Sequence, residues 1–227
     1  MKCDFSLKKL DGEVGDVDYS AIILATAGLN RMASQNDAFI GRLSAHLEMD
    51  ECLYAVGQGA LAVEILENDE NTARILQPLI HEETCLRVVA ERAFMKYLDG
   101  GCSSPIAVNC TLENDVLTLL GAVFSVDGSE SLYKEMKVNL KSKSESKHKT
   151  YTGILVQNIS PDKMALANNL GIDVAKSLLE DGAGDIIKAA KAANKPENNP
   201  GQAPNRDDQQ PRCPFPQAKD LTKAFLS

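Results

Sequence analysis

Apolar positions along this chain follow two different periods. From Glu82, Leu86, Ala90, Phe94 and Leu98 recur at helical spacing, Glu82 and Glu83 sit where a helix start favours negative charge, and Gly100-Gly101 supply a left-handed stop. The spacing predicts a helix ending at the glycine pair. Three strand patterns follow: IAVNCTL at 106–112, VLTLLGAVFSV at 116–126 after the turn signal Asn114-Asp115, and YKEMKVNL at 133–140 after Asp127-Gly128. Their order predicts a short antiparallel meander. The polar run KSKSESKHK at 141–149 reads as a loop. Ser160-Pro161 then places an N-cap and a first-turn proline ahead of a helix striped by Ala167, Leu170, Val174 and Leu178. A shorter helix is expected around Ile186, Ile187 and Ala190.

The N-terminal part is patterned differently. Residues 19–25, YSAIILA, form a continuous apolar run of the kind buried on both faces of a parallel sheet, and 29–47 read as a helix with a break. A strand-like LYAVG at 53–57 leads into Gly57-Gln58-Gly59, and ALAVEIL follows at 60–66. These are pieces of an α/β unit, yet the 18 residues ahead of Tyr19 cannot supply the neighbouring strands and crossover helices a parallel strand needs. Beyond Lys195 the sequence turns rich in Pro, Asn and Gln and poor in aliphatics, which predicts a disordered tail over 196–227.

Composition narrows the class. The 227 residues suit one to two domains, and a quarter of them are charged, as in a soluble globular protein. A net charge of −8 argues against nucleic acid or an anionic membrane surface as partner, although a local Arg or Lys cluster can still hold a small anion. Six cysteines, at 3, 52, 85, 102, 110 and 213, show no zinc-ligand spacing. With neither a signal-peptide core nor an apolar run of membrane-spanning length, the expectation is a cytoplasmic protein with free thiols and no metal.

Three features carry candidate chemistry. Cys102 follows the glycine pair and precedes Ser103, Ser104 and Pro105, a polar and rigid exit that turns the thiol out of the helix; the plainer alternative is a small buried hydrophobe at a corner. Arg31, in ATAGLNRM, lies just after an apolar run and near a helix start, where an Arg fork can hold a carboxylate or phosphate; it reads equally as a solvated helical Arg. Gly57-Gln58-Gly59 is either a backbone-donor loop or a tight turn, the turn being the stronger reading. His46, His81 and His148 share no motif and are given no role.

Taken together, ATAGLNRM, YAVGQGALAVE, AERAFMKYLDGGCSSPIAV and GILVQNI resemble hydroxymethylbilane synthase, also called porphobilinogen deaminase, over about residues 7–195. In that family the cysteine of the third block holds a dipyrromethane cofactor through a thioether, which implies this role for Cys102. The resemblance implies stepwise condensation of four porphobilinogens to hydroxymethylbilane with loss of ammonia, in tetrapyrrole and heme biosynthesis. It further implies that Arg31 holds a pyrrole carboxylate and that Gly57, Gln58 and Gly59 lie in a loop beside the cofactor.

The implied fold is α/β plus α+β: an incomplete periplasmic-binding-protein-like α/β portion, then a small domain with a three-stranded antiparallel sheet and helices. Residues 1–55 correspond to a remnant of the second α/β domain, 56–80 to the return toward the first, and 81–195 to the C-terminal domain. Family members are usually monomeric. The family's catalytic aspartate has no counterpart in this sequence, and residues 1–6 depart from the family pattern. An inactive lone chain is therefore expected. The rival expectation is a non-catalytic, truncated form acting as a protein-binding module, and a weaker one is an unrelated enzyme with a nucleophilic Cys102.

Overall fold

The computed structural model describes residues 2–15, 18–33, 41–99, 101, 104–143, 150–155, 158–193 and 221–226. They divide into two compact units, 1–52 and 53–227.

The first unit holds helices α1 (Lys2–Leu10) and α2 (Thr26–Ala33). The Arg42 guanidinium donates to both carboxylate oxygens of Asp11, one bond measuring 2.9 Å, and this holds the Asp11 carboxyl below the usual carboxylate range. The strand expected at 19–25 is not formed. Those residues have no ladder partner, and Ile23 is 76% exposed. An apolar run becomes a strand only when another strand pairs with it, and among the described residues of this unit none does. Of the helix expected over 29–47, residues 29–33 are helical, as part of α2. Residues 34–40 lie outside the described residues, and after a short 3₁₀ turn at Gly41-Arg42 the chain is irregular to 48.

The second unit has one dominant core. Helix α4 (Glu82–Tyr97) buries Leu86, Val89, Ala90 and Phe94, with Leu98 just beyond its end, as its periodicity predicts. His81 caps its start, Nδ1 accepting from the Thr84 N–H, so one of the histidines left without a role has a structural one. Strands β2 (Ile106–Glu113), β3 (Val116–Phe124) and β4 (Ser131–Asn139) form the expected antiparallel meander in the order β2-β3-β4. The β2–β3 ladder closes on the pair Glu113↔Val116, across Asn114 and Asp115 with φ of +50° and +62°. Two consecutive left-handed residues are what a two-residue hairpin with the right-handed strand twist requires. The β3–β4 turn is tied by Asp127, which accepts from the Ser125 and Ser129 hydroxyls and the Ser129 N–H; these bonds lower its carboxyl to about 2.

Helices α5 (Pro161–Glu180) and α6 (Ala183–Ala193) follow. Ser160 holds the N-cap position of α5 without a side-chain capping bond. The buried side chains of α5 pack across α4 and the inner face of the sheet, where Val108, Cys110, Leu117, Leu119 and Val123 are also buried. Gly171 sets the helix spacing. A Cβ there would stand 2.1 Å from the Ala90 carbonyl oxygen on α4. Gly121 on β3 plays the same part beneath the Phe94 ring, whose Cε2 would be 2.6 Å from an added Cβ.

A second sheet runs β1-β7-β6-β5: β1 (Leu61–Leu66), β5 (Thr150–Tyr151), β6 (Ile154–Leu155) and β7 (Leu221–Leu226). Its only parallel pairing among the described residues is β6 with β7; β1 pairs with β7 antiparallel, Leu61↔Leu226 to Leu66↔Leu221. Of the tail expected to be disordered over 196–227, residues 221–226 form β7, and 196–220 and 227 lie outside the described residues. The alternating LTKAFL finds an open edge on β1, and backbone pairing forms despite the composition of the residues before it. Between β1 and α4 lie helix α3 (Glu70–Leu76), capped by Asp69, and a 3₁₀ turn at Gln77–Leu79. The polar loop keeps Lys141 to Lys143 as a turn and bend, with 144–149 outside the described residues.

Candidate functional site

The end of α4 is built to turn the chain sharply. The Leu98 N–H bonds back to the Phe94 carbonyl, and Asp99 then takes a left-handed conformation, φ +51°. Past Gly100, the Gly101 N–H donates to Ser104 Oγ at 3.1 Å, the Ser104 N–H to the Gly101 carbonyl at 3.0 Å, and the Ile106 N–H to the Ser104 carbonyl at 2.9 Å. From there β2 begins. A Cβ built on Gly101 would meet nothing within 4 Å, so the corner opens away from the core. Cys102 and Ser103 themselves lie outside the described residues.

About two turns earlier on α4 is a buried polar cluster that periodicity did not reveal. Glu91 is only 2% exposed, and each oxygen has a donor: the Tyr54 hydroxyl at 2.9 Å and the Gly57 N–H at 2.7 Å. Tyr54 Oη in turn accepts from the Cys110 N–H at 2.7 Å, and the Tyr54 backbone exchanges two hydrogen bonds with Val108 of β2. Burial raises the Glu91 carboxyl above its usual range. Burial, reinforced by the Glu91 charge, also pushes the Tyr54 hydroxyl up to about 12. The cluster fastens the segment carrying Gly57-Gln58-Gly59 to both α4 and β2. A signal for it was present. Val88, Val89, Ala90, Ala93 and Phe94 surround Glu91 on the helix and are all buried, leaving its side chain little route to water.

The sequence candidates are thus distributed. Gly57 and Gly59 have positive φ, +72° and +89°, and form the tight turn that was the stronger reading; the Gly57 N–H is taken by Glu91. Arg31 is exposed in the last turn of α2, within the first unit. Cys85 and Cys110 are buried thiols that form no disulfide, and burial pushes the Cys85 thiol up to about 11, which marks it as core.

Comparison with known proteins supplies the deciding observation. Residues 85–180, which include the corner, match the model for the porphobilinogen deaminase C-terminal domain, and residues 2–74 match that for the porphobilinogen deaminase dipyrromethane cofactor binding domain. The chain belongs to the porphobilinogen deaminase family. It is 36% identical over 182 residues to the porphobilinogen deaminase of Vesicomyosocius okutanii, covering 80% of this chain and 49% of that one. To the porphobilinogen deaminase of Yarrowia lipolytica it is 37% identical over 188 residues, 83% of this chain and 47% of the relative. The chain thus spans about half the length of the curated relatives it matches. The first deaminase match begins at residue 2, earlier than the resemblance expected at residue 7. Both matching models carry the deaminase's name, which gives the binding-module alternative no support.

Proposed function

We propose that this chain supplies the cofactor-bearing part of a porphobilinogen deaminase, with dipyrromethane held as a thioether by Cys102. The observation that carries the reading is the open glycine corner at the end of α4, inside the matched C-terminal domain. In tether formation a C–S bond forms at a pyrrole methylene as its bond to the departing nitrogen breaks, and ammonia leaves with the thiol proton. The bound dipyrromethane supplies the free pyrrole α-carbon on which the chain is extended. Each extension makes one carbon–carbon bond, breaks one carbon–nitrogen bond and releases ammonia, until four porphobilinogens are joined.

Within this reading Arg31 holds a ring carboxylate, since a guanidinium fork matches acetate or propionate geometry. Gly57 anchors its loop to α4 through Glu91, leaving Gln58 and Gly59 to face the pyrroles. The partition at 55, 80 and 195 belongs to the same proposal, with 1–55 part of a periplasmic-binding-protein-like domain. So do a cytoplasmic setting and a monomer. The net charge of −8 supports small-molecule substrates over nucleic acid. No helix among the described residues is long and apolar enough to cross a membrane.

Intact mass after exposure to porphobilinogen or hydroxymethylbilane tests the tether. A gain matching one dipyrromethane in the parent chain and absent from Cys102→Ala is expected. No gain in the parent would overturn the assignment.

A further inference from the structure

The Glu91 cluster can keep its hydrogen bonds in two proton states. In the first the carboxylate is ionised and accepts on both oxygens, from the Tyr54 hydroxyl at 2.9 Å and the Gly57 N–H at 2.7 Å. The second is provided for by the surroundings of Tyr54. Its Oη accepts from the Cys110 N–H at 2.7 Å and also lies 3.4 Å from the Cys110 carbonyl oxygen, an alternative acceptor on β2. A phenol has one proton to donate and two lone pairs with which to accept. When a proton arrives at Glu91 Oε1, the Tyr54 hydroxyl can turn its own proton to the Cys110 carbonyl and accept from the new Glu91 O–H. Every polar group of the cluster then still has a partner, and no side chain has to leave the core.

Opposed influences decide which state is held. Burial favours the neutral acid, whereas the Gly57 N–H, the Tyr54 hydroxyl and the Arg87 guanidinium favour the anion, and burial prevails in raising the carboxyl above its usual range. Arg87 approaches from the same helix, its Nη2 3.5 Å from Tyr54 Oη. From β2 comes the Cys110 thiol, which burial keeps protonated, and from the segment ahead of the turn comes Tyr54, its hydroxyl pushed up to about 12. Glu91 is thus the group of this cluster that changes charge between acid and neutral pH.

The two states differ in their hold on the turn. A bond from an N–H to a carboxylate is roughly twice as strong as one to a neutral oxygen. Beyond Gly57 the turn closes on itself, the Gln58 N–H bonding to the Ala55 carbonyl at 2.9 Å and the Ala60 N–H to the Gly57 carbonyl at 3.2 Å, and Gln58 is left exposed. The Glu91–Gly57 bond ties this self-contained turn to α4.

We propose that Glu91 and Tyr54 form a proton-operated switch that holds the Gly57–Gly59 turn firmly to α4 when Glu91 is ionised and loosely when it is neutral. The switch stands on the fold alone; its bearing on pyrrole uptake rests on the reading of this turn as facing the pyrroles. It is tested on the full 227-residue chain. The Glu91 carboxyl-carbon shift, the Gly57 amide-proton shift and Gly57 amide exchange, corrected for its intrinsic dependence on pH, are followed from about pH 4 to about pH 8 in the parent, Glu91→Gln and Tyr54→Phe.

In the parent, the Gly57 amide proton is expected to move upfield in acid with the midpoint of the Glu91 carboxyl, and its protection to fall about fivefold. Glu91→Gln should make both independent of pH. Tyr54→Phe removes a donor to the anion, so it should raise the Glu91 midpoint and carry the Gly57 midpoint with it. A Gly57 amide that ignores the Glu91 titration, or that follows pH equally in Glu91→Gln, would overturn the proposal. Intact mass after exposure to porphobilinogen separates the two readings. If the parent takes up no pyrrole while Gly57 still tracks Glu91, the pyrrole reading fails and the switch stands.

Discussion

Glu91 does the most for the local architecture with the fewest atoms. Its carboxylate joins the loop at Gly57, the hydroxyl of Tyr54 and, through that hydroxyl, the Cys110 amide, bridging three segments far apart in sequence. Its raised pKa gives a signed prediction. Because folding favours the protonated form, the stability it contributes is fully present below the ordinary value of about 4.5 and is lost as pH rises through the raised folded value. Glu91→Gln, neutral throughout, should therefore gain stability relative to the parent as pH goes from about 4 to about 8. Denaturant midpoints of both proteins at the two pH values check this, and a constant difference would contradict it. Residues of this kind escape a reading by period. Helical spacing identifies which positions face the core, and a carboxylate among them looks like an error in the pattern until its donors are known.

At the scale of elements, legibility follows locality. Helices α4, α5 and α6 and the meander β2-β3-β4 were readable because their periods, caps and turn residues are local in sequence. Residues 19–25 were misread and β7 was not foreseen for one shared reason: a strand is decided by its partner. The apolar run lacked a partner among the described residues of its unit, whereas the less apolar LTKAFL found one in β1. The packing of α4 on α5 was invisible in either helix alone. It depends on Gly171, where an added methyl would press on the Ala90 carbonyl oxygen. Backbone yields less readily than a side-chain tip, so Gly171→Ala should cost about 3 kcal/mol, measured as a lower denaturant midpoint with little change in slope. A midpoint equal to the parent's would show that the helices separate freely.

The whole molecule has two units with different support. Residues 53–227 hold the core cluster, both sheets and the site corner, while 41–51 are exposed and largely irregular. Limited digestion with a broadly specific protease should cut within 41–51 and leave a product beginning near Leu53 that unfolds at the midpoint of the parent. Rapid loss of that product would show that the second unit needs the first. Of the candidate site, the motif with its glycines and cysteine was legible in one short stretch. The Glu91 cluster was not, because Glu91 lies 37 residues from Tyr54 and 34 from Gly57 and only the fold brings the three together.

Gly171 has a further consequence at the level of the gene. Glycine is the smallest residue, so every missense change at that codon adds atoms, and each must fit where the carbonyl of Ala90 already lies. Positions such as Leu170 or Val174 beside it can exchange one aliphatic side chain for another. The codon for Gly171 has no conservative neighbour, and the inheritance of this fold is least forgiving at a residue with no side chain.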